Sequence, residues 1–128
     1  MRWAMIILTA SLVCAATVLD VQAEVRAYRF RNQDNCLELS NESTRIVVVP
    51  ANGGRIVHYS CDNGQNFFAG GCQIDIGPEL DYPPSHQQLW AGPYVAQVLD
   101  SFSVRLTSPA HEAMGVQLVK VVTLDPGQ

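Results

Sequence analysis

The 128 residues are 48% hydrophobic and carry a formal net charge of −4, enough apolar content for one folded domain and too much for a disordered chain. Acids and bases are scattered rather than grouped, so no basic face is available to neutralise phosphates, and the reading sets nucleic acid aside as a partner.

The opening "MRWAMIILTASLVCAATVLDVQA" places Arg2 before an apolar run from Trp3 to Leu19 and ends on Val21-Gln22-Ala23, a small-residue cleavage pattern. Residues 1–23 are therefore expected to be a secretory signal peptide, and the rest of the chain to be exported, either periplasmic or extracellular. An uncleaved anchor is the competing reading, but the run falls short of the ~20 apolar residues of a spanning helix. No later segment could cross a bilayer, so no membrane association is expected after cleavage. Cys36, Cys61 and Cys72 remain in the exported part. Export permits a bridge among them, the pairing stays open, and small buried hydrophobes are an equal alternative. Their spacing matches no zinc pattern, so no metal is assigned, and no cofactor is implied.

After Ala23 no window sustains a helical period, whereas short alternating or apolar runs recur between turn signals, which predicts an all-β, antiparallel fold. "CLELS" alternates Leu37 and Leu39 against Cys36, Glu38 and Ser40, and Asn41-Glu42 turns into "TRIVVVP". Ile46 to Val49 are apolar on both faces, as in a strand covered on both sides, and Pro50 ends it. "ANGG" supplies a turn in which Gly53 and Gly54 adopt positive φ cheaply. "RIVHYSC" then places Ile56, His58 and Ser60 on one face and Val57, Tyr59 and Cys61 on the other. Asp62-Asn63-Gly64 predicts a hairpin returning into "QNFF". "CQIDI" is a further strand, followed by a loop from Gly77 that holds Pro78, Pro83, Pro84 and Pro93. "YVAQVLD" and "SFSVRLT" come next, the latter with Phe102, Val104 and Leu106 inward and Ser103 and Arg105 outward. The loop "SPAHEAMG" leads to a last strand from Val116 to Leu124. That strand would be an edge with an apolar face, so the reading expects residues 24–128 to be the N-terminal portion of a larger domain.

"LELSNESTRIVVVPANGGRIVHYSCDNGQNFF" resembles the opening strands of the galactose mutarotase-like β-sandwich superfamily. There, an apolar strand runs into a Gly-Gly-Arg-Ile turn, a hairpin, and an Asn with an apolar pair. "CQIDIGPELDYPPSHQQLWAGPY" and "VRLTSPAHEAMGVQLVKVVTLDP" are similar to a bacterial branch of it, aldose-epimerase-like proteins of unassigned activity. The resemblance implies an antiparallel supersandwich longer than this chain, with a sugar cleft across one concave sheet. Mutarotases carry a His-Gly-Gly in the first half, and no His-Gly-Gly occurs here. Catalytic residues are therefore not carried over.

The proline-stiffened loop holds the candidate chemistry, because fixed φ angles reduce the entropy lost on ordering a binding element. Trp90 offers a flat indole for stacking on a pyranose, with Tyr82 and Tyr94 as lesser aromatics. Glu79 and His86 are the acid and imidazole close together on that loop, and Arg55, after two glycines, could hold a ligand hydroxyl or carboxylate. Each has a plain alternative: packing for Trp90, a solvated loop for His86, backbone bonding for Glu79, and an ion pair to Asp75 or Glu79 for Arg55. His58 reads as a satisfied core residue and His111 as a loop tip. The leading expectation is an exported carbohydrate-binding β-sandwich module whose partner is a sugar or glycan. An aldose-epimerase-like isomerase and a non-catalytic interaction domain are the alternatives.

Overall fold

The computed structural model describes residues 24–68 and 86–126. Residues 1–23, which hold the expected signal peptide and Cys14, lie outside them, as do Cys72, the expected strand "CQIDI", Glu79 and Tyr82.

Among the described residues, seven strands form two antiparallel sheets. The first joins β1 (Glu24–Phe30), β2 (Gln33–Ser40), β3 (Thr44–Val49) and β4 (Arg55–Cys61) in sequence order. After a single helical turn, α1 (Gln87–Trp90), the second joins β5 (Val95–Asp100), β6 (Ser103–Thr107) and β7 (Val119–Thr123). Among the described residues no helix is long and apolar enough to cross a membrane.

β3 is buried along its apolar stretch, from Ile46 at 8% exposure to Val47 and Val48 at 0%, because both faces of the first sheet are covered here. On one face Leu39, Ile46 and Val48 share a core with Tyr94, Val104, Leu106 and Leu124, so residues of both sheets contribute to one apolar cluster. On the other face Cys36, Val47 and Val49 form a second, smaller cluster with Tyr28, Phe30 and Val57. Burying β3 on both sides withdraws apolar area from water at ~25 cal/mol per Å².

Three local expectations are corrected. The sequence pattern predicts its first strand at Cys36, yet β1 pairs with β2 from Glu24↔Ser40 to Phe30↔Gln33. β4 does not alternate strictly: Val47 pairs with His58 and Val48 with Ile56, so Val57 is the extra residue of a β-bulge. The bulge lets Ile56 and Tyr59 pack on the shared core while Val57 packs on the opposite cluster. Ser103, expected outward, is buried and donates its hydroxyl to Thr123 at 3.3 Å, a bond that offsets its desolvation.

The turns explain how the strands meet. Asp62 and Asn63 have φ of 50° and 56°, and the Gly64 amide donates to the Cys61 carbonyl at 2.8 Å, the geometry of a mirror-image turn whose twist suits a hairpin. The return through "QNFF" is not a strand ladder. Instead the Asn66 carboxamide donates to the Val57 carbonyl at 2.9 Å and accepts from the Tyr59 amide at 2.9 Å, satisfying the open edge of β4. Cys36 packs in the smaller cluster, whereas Cys61 follows Tyr59 on the side of the shared core. Both are free thiols on opposite faces of one sheet, which rules out a bridge between them in this fold.

Candidate functional site

Gly53 and Gly54 turn at φ of +67° and +56°, the region the sequence reading assigned to them. The tightness of the turn is a tertiary matter. The Gly53 amide donates to the Gly92 carbonyl at 2.8 Å, and the Lys120 ammonium donates to the Gly53 carbonyl at 2.6 Å. A Cβ on Gly53 would stand 1.9 Å from the Trp90 carbonyl oxygen. The β3–β4 turn is thereby pressed backbone to backbone onto the segment 89–94, and the Tyr94 amide completes the seam by donating to the Pro50 carbonyl at 2.8 Å.

Docking carries Arg55, the first residue of β4, to Trp90, the last of α1. The guanidinium carbon lies 5.9 Å from the indole centroid, within cation–π range. Arg55 Nε is buried and makes no hydrogen bond, and among the described residues Arg55 has no ion pair. The carboxylates of Asp75 and Glu79, its expected partners, lie outside the described residues. Trp90 is half-buried.

His86 immediately precedes α1 and is 6% exposed, so it is not the solvated loop histidine of the sequence reading; its carbonyl accepts from the Leu89 amide at 2.9 Å. The helical turn itself interrupts the expected all-β pattern, because Gln87, Gln88 and Leu89 are good helix formers that Pro93 then stops. Tyr94 is a core residue rather than a stacking platform: it is 5% exposed and its hydroxyl donates to the Leu89 carbonyl. His111 is also buried, at 5%, with Nδ1 accepting from the Met114 amide, which makes it a turn-closing residue instead of an exposed tip.

A second polar constellation lies midway along the first sheet and extends toward the open end of the β3–β4 hairpin, and the sequence reading did not single it out. Glu38, in the middle of the first sheet, has a side chain only 1% exposed. Its Oε1 accepts from Arg26 through Nε at 2.8 Å and through Nη2, and its Oε2 accepts from Arg45 Nε at 2.6 Å. Arg26 is directly opposite Glu38 in the β1–β2 ladder, and Arg45 is diagonal to it across the β2–β3 ladder. A carboxylate this deep is tolerated because both oxygens receive charge-assisted bonds. The Arg45 guanidinium stacks 4.8 Å from the Tyr28 ring centroid. Burial works against its charge, yet its bonds to Glu38 and Tyr28 outweigh that and hold its pKa above the ordinary value. His58, on the same side, donates to or accepts from the Ser60 hydroxyl at 2.9 Å and packs edge-on to Phe30. Desolvation, followed by the charge of Arg45, holds the His58 pKa below its ordinary 6.5, so its ring is neutral at physiological pH.

Next to Glu38 opens a recess of ≈ 320 Å³, lined by Arg26, Arg45, Ser40, Asn41, Thr44 and Asn63 among others. The Asn41 side chain, part of its lining, accepts from the Ser43 and Thr44 amides at 3.0 and 2.7 Å and donates to the Asp125 carbonyl at 2.8 Å. Among the described residues no group of three or more His, Cys, Asp or Glu could hold a metal ion.

Compared with known proteins, the chain matches no family model, no curated protein and no solved structure. The likeness to galactose mutarotase-like sandwiches therefore rests on the quoted residues alone.

Proposed function

We propose that this chain is an exported carbohydrate-binding module, with its two sheets as leaves of a β-sandwich of the galactose mutarotase-like kind. The observation that carries the reading is the docking of Arg55 onto Trp90. An indole held in place by a backbone seam, with a guanidinium beside it, pairs an apolar stacking face with hydrogen-bond donors, the combination a pyranose requires. Trp90 supplies the face and Arg55 the donors. His86, buried just before α1, and Glu79 are the remaining polar contacts named by the sequence.

Beyond residue 23, Trp90 is the only tryptophan, so its fluorescence reports on this place without interference from another indole in the mature chain. Titration with a panel of neutral monosaccharides is expected to shift its emission, and Arg55→Lys is expected to weaken binding about tenfold, the scale of one charge-assisted hydrogen bond. An emission spectrum that stays constant with every sugar would remove the carbohydrate reading. Polarimetry of anomer equilibration separates a binding module, which leaves the rate unchanged, from an aldose-epimerase-like isomerase.

A further inference from the structure

The geometry points to a second binding site, the recess beside Glu38, for a small molecule that carries both a carboxylate and hydroxyl groups. It is distinct from the Arg55–Trp90 place. The six residue steps of β4 from Arg55 to Cys61, at ~3.3 Å each, put about 20 Å between the two ends of the hairpin, and the recess is lined at the Cys61 end by Asn63. The inference does not rest on the carbohydrate reading above.

The carboxylate specificity follows from the arginines. Glu38 lines the recess, but its side chain is only 1% exposed and both its oxygens are bonded to Arg26 and Arg45, so its charge is turned to the two arginines. Arg45 gives Glu38 only its Nε, and its side chain remains 34% exposed, while that of Arg26 is 54% exposed. One buried negative charge therefore fixes two guanidiniums that both line the recess, with Arg45 held in addition by Tyr28. Guanidinium forks of this kind match a planar carboxylate, and their orientation is set before any ligand arrives. Glu38 is a positioning residue in this arrangement and touches no ligand.

The hydroxyl specificity follows from the rest of the lining. Ser40, Thr44 and Asn63 place hydroxyl and carboxamide groups around the same space, where they can exchange hydrogen bonds with alcohols. At ≈ 320 Å³ the recess is at the lower end of the ~300–1,000 Å³ typical of small-molecule sites. A hydroxy acid of monosaccharide size fits both the volume and the donors. Glu42 is exposed on the rim, and its charge opposes an anion.

The test is an amide-resolved NMR titration of the full chain with three probes: glucuronate, which has both groups, glucose, which lacks the charge, and acetate, which lacks the hydroxyls. Glucuronate is expected to shift the amides of Ser40, Asn41, Thr44 and Asn63, and the other two to bind about tenfold more weakly. Glu42→Gln removes the opposing charge at an exposed position and is expected to tighten glucuronate about twofold. Arg45→Gln is expected to weaken it at least about tenfold; if that variant does not fold, the Glu42→Gln result decides alone. Trp90→Ala is expected to leave the glucuronate shifts in place, so this site stands or falls separately from the Arg55–Trp90 place. No glucuronate shift at these amides, equal binding of glucose, or weaker binding by Glu42→Gln would each overturn the assignment.

Discussion

At the end of the β3–β4 hairpin where Gly53 and Gly54 turn, the contacts are made by backbone: an amide to the Gly92 carbonyl, a carbonyl under the Lys120 ammonium, and no room for a Cβ. At the opposite end the contacts are made by charge, with Glu38 clasped between Arg26 and Arg45 beside an open recess. The first end is limited by shape and tolerates no added atom. The second is limited by electrostatics and tolerates changes of shape better than changes of charge. Two strands can thus be anchored at either end by different physics, and the two candidate sites inherit that difference.

Gly53 is where a single substitution is expected to do most harm. Gly53→Ala places a Cβ against the Trp90 carbonyl and asks alanine to adopt φ of +67°, so a loss of about 2–4 kcal/mol in urea unfolding is expected, together with loss of the Trp90 response to sugar. An unchanged midpoint would mean that the turn does not bear on the 89–94 segment. Next comes Glu38→Ala, which leaves two guanidiniums without their shared carboxylate. A fully buried pair would cost 3–5 kcal/mol when broken; because Arg26 and Arg45 reach solvent, about 2–3 kcal/mol is expected here. Glu38→Gln should fall between wild type and Glu38→Ala, since the amide oxygen still accepts while the charge is gone.

The smallest effect is a pH dependence. The His58 pKa is lower in the folded chain than the ordinary 6.5 of the unfolded one, so below that value the unfolded state binds more protons. The stability from His58 is therefore fully present above about pH 6.5. It falls as pH drops below that and levels off once the folded ring is protonated. The urea midpoint of His58→Gln, measured at descending pH, should show a shallower decline through this window than wild type. A parallel decline would assign the pH dependence to other groups.

Much of the fold was legible locally. β3 is buried on both sides as its run of apolar residues requires, Val104 and Leu106 point inward as their alternation requires, and the two glycines and the Asp62-Asn63-Gly64 turn occupy the backbone conformations their side chains favour. β1 is hard to read because "EVRAYRF" alternates polar with apolar residues only as far as Ala27, after which Tyr28 takes the place of a polar residue, and Arg26 faces a carboxylate on the neighbouring strand. The bulge at Val57 was invisible for a related reason: inserting one residue costs nothing in local propensity and shows itself only in how β4 pairs with β3.

By itself the sequence determined where strands and turns occur, because those preferences reside in the conformational range of each residue and its immediate neighbours. The tertiary structure alone decided that Glu38, on the face opposite Leu37 and Leu39 in "CLELS", is sealed between two arginines, and that Arg55 meets Trp90 across the hairpin turn. Both depend on which strands become neighbours. A charge can leave water only when a distant partner replaces its hydration, and no local pattern encodes that partner.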